Sequence, residues 1–531
     1  MLTVKAVGLG RPARAVLCQP RPVSRTPHAR MLSVLSYLPK LQASIPPYLG
    51  SIRQLVNDFE RDANAFQPNL TIRTNEVFAN NHLRLSNIDV VGFDYDYTLC
   101  HYKEELQHLI YAMARDYLVE RLRYPEGISV LQYDPSFAIR GLTIDREKGL
   151  LCKISSHQKL SYMGVFRGRH RLSRSEIMDL YKGSRHISIH DRNTKMEPLN
   201  DLFSVAHACL FADVVQYMLD RDIEYEPIAL VEDVHHAIAD VHVSGRMHKE
   251  VALSPPTYIE PNPQLRPLLE RIRTSGKKAF LCTNSSFQYI DPGLKFMLGE
   301  EWRKLFDVVI VSARKPNFYT RRRAFRMFDT EREQVQWQAV RALQPNHVYT
   351  QGSIHQLMKL TRWGGNRVLY IGDSLFSDLV EPSRISGWRT GAIIRELEDE
   401  IQVQQTPQYQ ELAYQEWAMN LQVNKLEELM RQIQDYLRSD PNPQNHEFVA
   451  QLVDIHEELQ TKLEQLINPN FGSVFRADTY PSQFAFSVQR YVDIYSARLD
   501  NLMHYPSSHS FYPERLGLPH ERPASSSYRI F

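Results

Sequence analysis

Ile88-Asp89-Val90-Val91-Gly92-Phe93-Asp94-Tyr95-Asp96-Tyr97-Thr98 reads as an apolar β-strand that stops in Asp-x-Asp-x-Thr. A strand without charge from Val90 to Phe93 belongs inside a parallel sheet covered on both faces. Its C-terminal end then carries two carboxylates and a hydroxyl, and in open α/β sheets ligands bind at that end. In extended backbone Asp94 and Asp96 share one face. Where the strand opens into a loop they can address opposite sides of a single group.

Three more stretches place polar groups at strand ends. Arg367-Val368-Leu369-Tyr370-Ile371-Gly372-Asp373 ends in Gly-Asp, with Asp378 five residues beyond. Carboxylates converging on one sheet edge repel one another unless a hard cation sits among them, so the pattern predicts a magnesium ion, Mg²⁺. Lys278-Ala279-Phe280-Leu281-Cys282 runs into Thr283-Asn284-Ser285, hydroxyl and amide groups suited to phosphate oxygens. Asp307-Val308-Val309-Ile310-Val311 leads to Ser312-Ala313-Arg314-Lys315-Pro316, where Lys315 can balance a phosphoryl dianion.

The order Asp-x-Asp-x-Thr, Thr, Lys and Gly-Asp-x-x-x-x-Asp resembles the four motifs of the haloacid dehalogenase superfamily of phosphotransferases. Gly92 to Leu99, Thr283 to Ser285, Phe306 to Pro316 and Gly387-Trp388-Arg389-Thr390-Gly391-Ala392-Ile393-Ile394 are similar to the cytosolic purine 5′-nucleotidase group, and within it to the 5′-nucleotidase domain-containing proteins. Tyr133-Asp134-Pro135, Phe137 to Leu142 and Asp240-Val241-His242 extend the likeness, which runs from about Asn75 to the C-terminus.

The resemblance implies a Mg²⁺-dependent phosphomonoester hydrolase, most simply a 5′-nucleotidase acting on nucleoside monophosphates through an aspartyl-phosphate. It implies Asp94 as nucleophile and Asp96 as general acid and then base. Mg²⁺ would rest on the Asp94 carboxylate, the Asp96 main-chain carbonyl and Asp373. Thr283 and Asn284 would hold phosphoryl oxygens, Lys315 would offset their charge, and Asp378 would orient Lys315 or a water on the metal. The chemistry is consistent with these roles, because a carboxylate cannot attack a dianionic phosphate until their mutual repulsion is screened. None of the polar residues needed has been replaced, which favours an intact catalyst.

Spacing locates the accessory parts. From Thr98 to Thr283 there are 185 residues, far more than a crossover helix needs, whereas Thr283 to Lys315 takes 32. The expected fold is therefore α/β: a Rossmann-like parallel-sheet core with an α+β cap inserted after the first motif. The core occupies 51–124 and 266–400, the cap 125–265. Strand-like pieces fall around Leu150 and Ser161, and a helix-like piece runs from Ser204 to Arg221. Phe166, Arg167, Arg169 and His170 read equally as nucleotide contacts or as a basic surface loop.

After the last expected core strand, near Gly391 to Glu396, the segment 401–468 repeats apolar residues at helical spacing. Leu426, Met430, Ile433 and Leu437 precede the break at Ser439-Asp440-Pro441-Asn442-Pro443, and Phe448, Leu452, Ile455, Leu459, Leu463 and Leu466 follow it. This predicts an antiparallel helical hairpin that packs either on its own core or on a second copy or partner. Residues 469–531, rich in Tyr, Ser and Pro, would pack back on the core. The hairpin also supports a rival function, an interaction protein whose phosphatase fold has become a scaffold.

Net charge is +2 over 531 residues, which gives no electrostatic case for nucleic-acid binding. Five cysteines, Cys18, Cys100, Cys152, Cys209 and Cys282, show no ligand spacing and point to a reducing compartment. Residues 1–50 carry Lys5, Arg11, Arg14, Arg21, Arg25, Arg30 and Lys40, and no acidic residue precedes Asp58. That composition predicts a mitochondrial transit peptide and a matrix location, with a disordered basic tail as the alternative. Met31 offers an internal start for a cytosolic form. No run of eighteen apolar residues occurs, so no membrane span is expected.

Overall fold

Val90–Phe93 lies buried at the centre of a ten-stranded sheet in the computed structural model, which describes residues 72–417 and 456–513. Val368–Gly372 pairs with it in parallel on one side and Lys278–Cys282 on the other, with Phe93 level with Ile371 and Leu281. On the Lys278–Cys282 side the sheet continues through Val308–Val311 and Val348–Gln351, all parallel. The chain then returns past Val90–Phe93 to lay down Val368–Gly372 and Arg389–Ile393 on the far side. Strand order thus reverses between Val90–Phe93 and Val368–Gly372, and their C-terminal ends open a crevice. Gly92 is required there: a Cβ would come within 2.2 Å of the Phe280 ring and 2.7 Å of Tyr370.

The alternating strand residues feed two apolar clusters. Val91, Phe93, Leu281 and Ile371 face one, and Val90, Phe280, Tyr370 and Trp388 face the other. Helix Glu104–Glu120 covers the first face, burying Leu106, Ile110, Ala114 and Leu118 at helical spacing. The second face is covered by residues such as Leu357, Leu379, Phe484 and Val488.

Between the first motif and Lys278–Cys282 lies a five-stranded antiparallel sheet, ordered His170–Arg171, Leu160–Arg167, Leu150–Ile154, Leu142–Asp145, Met196–Leu199. Helices Ser204–Asp220, Pro227–Val243 and Arg246–Leu253 follow. The segment 125–265 is α+β and divides in two. Its helices share one apolar cluster with the core face, through residues such as Ala208, Val234 and Val251, whereas Leu150, Cys152, Leu160 and Ile177 form a separate small cluster.

The core's last strand is not near Gly391. Ile494–Ser496, from the C-terminal region, adds in parallel to Arg389–Ile393, and Val77–Ala79 closes that edge antiparallel. The run is three residues long and mixes Tyr and Ser with Ile, too short for its period to be read. Of the expected hairpin, helical residues 407–417 and 456–467 are described and linked by Glu416 and His456 at 2.7 Å, and Leu463 is buried. Leu426, Met430, Ile433, Leu437, Phe448, Leu452 and Ile455 lie outside the described residues, as do residues 1–50 with Met31. Cys100, Cys152, Cys209 and Cys282 are free and buried. Among the described residues no helix is long and apolar enough to cross a membrane.

Candidate active site

Asp94 is the first residue past its strand, and its N–H donates to the Ile371 carbonyl at 2.9 Å, so the side chain starts at the sheet's C-terminal mouth. The chain then coils: the Tyr95 carbonyl accepts the N–H groups of Leu99 at 3.1 Å and Cys100 at 2.9 Å, and Tyr97 takes a left-handed φ of 50°. That coil separates the two aspartates. Asp94 Oδ1 lies 2.8 Å from Lys315 Nζ, while Asp96 turns to Ser285 Oγ and Tyr102 OH, each donating at 2.6 Å. Burial, then the neighbouring Asp94 charge, pushes the Asp96 carboxyl up to about 6.

Lys315 sits at the end of Val308–Val311 behind left-handed turns at Ser312 and Arg314. The Asn284 carboxamide grips its backbone at both ends, donating to the Lys315 carbonyl at 3.0 Å and accepting its N–H at 2.6 Å. The ammonium reaches Asp94, Asp378 at 2.5 Å and Tyr370 OH at 3.2 Å. Burial works to strip its proton, but Asp378 and Asp94 outweigh this and hold it well above the usual lysine range. Thr283 is fully buried; its N–H donates to Ile310 at 3.0 Å, and its Oγ1 accepts the Ser285 N–H at 3.1 Å.

Asp373 and Asp378 complete the mouth. Gly372 lets the loop close, because a Cβ there would meet the Asp378 side chain at 2.6 Å. Asp94, Asp373 and Asp378 are buried and each offers a carboxylate oxygen within 4.8 Å of the others. Burial and the Asp378 and Asp94 charges drive the Asp373 carboxyl well above the usual carboxylate range. Burial and Asp94 push Asp378 up to about 7. Asp94 Oδ1, though close to Lys315, receives no well-directed hydrogen bond. Three carboxyl groups against one ammonium, with an orphaned oxygen among them, fit a divalent hard cation.

The sequence-predicted residues Asp94, Asp96, Thr283, Asn284, Lys315, Asp373 and Asp378 all gather at this one edge. Two placements differ from expectation. The Asn284 side chain is spent on the Lys315 backbone, since a turn with two left-handed residues needs its polar groups tied down. The Asp378 carboxylate joins Asp94 and Asp373 in the cluster, where it was expected only to orient Lys315 or a metal-bound water, and the Asp96 carboxylate stands apart, as the expected main-chain contact allows. Ser285, read in the sequence as a group for phosphate oxygens, serves Asp96 instead, and sequence reasoning assigned no role to Tyr102, Tyr370 or Arg140, which reaches in from the insert. Arg140 is 1% exposed, forks onto Glu396 at 2.9 and 2.7 Å, and donates to the Asp373 carbonyl at 3.2 Å. Tyr370 and Arg140 lie within stretches the sequence singled out, but nothing in those stretches says which side chain the fold turns to the site. Arg169 is committed elsewhere, to Asp213 at 2.6 Å and Asp134 at 3.0 Å, and Phe166 is buried.

A reversing parallel sheet with an Asp-x-Asp at its central strand end and a lysine and acidic loop beside it defines a phosphohydrolase of the haloacid dehalogenase type. A family model described as the 5′ nucleotidase family matches residues 77–523, and the chain belongs to that family. A 5′-nucleotidase domain-containing protein of Dictyostelium discoideum is 38% identical over 458 residues, covering 85% of this chain and 76% of that one. 5′-Nucleotidase domain-containing protein 2 of Rattus norvegicus is 39% identical over 455 residues, 84% of this chain and 80% of that one. Among solved structures, a haloacid dehalogenase-like hydrolase from Xanthomonas campestris aligns over 58% of this chain and 82% of its own at 12% identity, with a TM-score of 0.23. An archaeal β-phosphoglucomutase from Pyrococcus aligns over 58% and 86% at 10% identity and a TM-score of 0.26. At such scores the fold assignment rests on the strand order and the family match, not on these superpositions.

Proposed function

We propose that the chain is a Mg²⁺-dependent 5′-nucleotidase that hydrolyses nucleoside monophosphates through a phosphoryl group carried on Asp94. An Asp94 carboxylate oxygen attacks phosphorus and the bond to the 5′ oxygen breaks. The Asp96 carboxylic acid gives its proton to that leaving oxygen. Asp96, now a carboxylate, takes a proton from water as the water attacks phosphorus. Phosphate leaves and both carboxyls are restored. Lys315 offsets the charge of nucleophile and phosphate, Thr283 offers a hydroxyl and Asn284 a main-chain N–H to the phosphoryl oxygens, and Asp378 fixes Lys315. Asp94 and Asp373 would hold the ion, with the Asp96 carbonyl and Asp378 beside them; when bound, it neutralises phosphoryl charge.

The observation that carries this reading is the division of labour between the two aspartates. Asp94 lies against the ammonium, and Asp96 is buried and oriented by two hydroxyls at 2.6 Å. The test is phosphate release by the chain lacking residues 1–31, over a panel of nucleoside monophosphates, beside Asp94→Asn. Release should need Mg²⁺ and fall by at least about 10⁴-fold in the variant. Equal background from both proteins would sink the reading and favour the scaffold. The basic, acid-poor start supports a further proposal of mitochondrial matrix import. A fluorescent fusion of the full chain that stays cytosolic would refute it.

A further inference from the structure

A second convergence of ligating side chains lies in the insert, on three different elements. Glu197 is on the edge strand Met196–Leu199, His207 in the first turn of helix Ser204–Asp220, and His235 midway along helix Pro227–Val243. One donor atom from each lies within 4.8 Å of the others. His235 Nδ1 and Glu197 Oε1 are 2.6 Å apart.

His207 makes this more than a surface ion pair. It is 4% exposed, and its Nε2 is sealed from solvent without any hydrogen-bond partner. A buried polar atom with no partner costs about 1–3 kcal/mol and calls for an occupant. The His235 side chain is 54% exposed, which leaves an entry path from solvent and room for water.

We propose that Glu197, His207 and His235 form a binding site for zinc(II) or a similar borderline transition-metal ion. Two imidazoles and one carboxylate suit such ions, whereas Mg²⁺ prefers an all-oxygen set like that at the sheet mouth. On binding, the short contact between His235 Nδ1 and Glu197 Oε1 opens as the two atoms spread to admit the ion, and each turns a lone pair to it. The bound ion ties the edge strand of the inserted sheet to two helices that share the core's apolar cluster.

The test uses the full chain, stripped with a chelator and kept in millimolar Mg²⁺ so that the carboxylates of the mouth stay filled. Zinc(II) is titrated calorimetrically, and cobalt(II) is followed by its visible absorption. One equivalent should bind and raise the unfolding midpoint. His235→Gln and Glu197→Gln should each weaken binding by more than about 100-fold, since even outer partners of a ligand are worth 10–100-fold. Both sites are partly exposed, so the variants fold, and Asp373→Asn should bind zinc normally. Absence of uptake, or uptake unchanged in both variants, overturns the proposal.

Discussion

Among the described residues lysine and carboxylates are buried together at the sheet mouth and beneath the insert, and the two clusters differ in what they leave over. Beneath the insert, Lys153 Nζ donates to the carbonyls of Phe471 and, at 2.6 Å, Ser473, with Glu464 at 3.9 Å. Glu400 uses both carboxyl oxygens, accepting Ser473 Oγ at 2.7 Å and the Val474 N–H at 2.8 Å, and Glu464 accepts the Ser473 N–H at 2.7 Å. At the mouth Asp94 Oδ1 is left without a directed donor, and three carboxyls crowd one ammonium. A buried charge cluster that satisfies itself holds structure together. One that does not is waiting for a ligand.

Variants can break that contrast. Lys315→Met should cut kcat by about 10³-fold, about 4 kcal/mol of barrier, because the repulsion between Asp94 and phosphate goes unscreened. Steady-state phosphate release measures it, and a loss under tenfold would deny Lys315 its role. Lys153→Met should instead cost about 3 kcal/mol of stability, since it strands two carbonyls and two carboxyls, while kcat stays within about twofold. Urea unfolding beside turnover separates the two effects. A Lys153→Met protein as stable as the parent would mean that this cluster, too, is not self-satisfied.

The smallest effect concerns pH. Burial pushes Glu400 up to about 8 from an ordinary 4.5, against the pull of Ser473, Val474 and Lys153, with Glu464 adding to the rise. The folded state therefore keeps a proton that the unfolded chain gives up. That contribution is complete below the ordinary value and is lost as pH rises through about 8. Glu400→Gln should flatten the fall in urea midpoint between acidic and mildly alkaline pH. An unchanged slope would assign the fall to other groups.

The core was legible because its chemistry sits where apolar runs end. Val90–Phe93, Lys278–Cys282, Val308–Val311 and Val368–Gly372 announce themselves by composition, and the residues that matter follow at once, Asp94, Thr283 and Asp373, or, for Val308–Val311, four residues on at Lys315. Asn284 shows the limit of reading by residue type, since nothing local reveals that a turn's backbone will claim the carboxamide. Arg140 and Tyr102 were silent, because each meets the site through a fold-dependent contact. Glu197, His207 and His235 come from a strand and two helices in no recognisable spacing, so only their three-dimensional arrangement joins them.

The sheet edge formed by Val77–Ala79 and Ile494–Ser496 has a consequence for synthesis. Glu76 and Ser496 meet by a hydrogen bond across 420 residues, so a nascent chain exposes Val77–Ala79 long before the partner leaves the ribosome. Until then Arg389–Ile393 also presents unpaired backbone on that side, the kind of edge that recruits other chains. Closure of the fold waits on a three-residue strand near its end, and a message truncated before Ile494 yields a product with every motif residue present and its sheet still open.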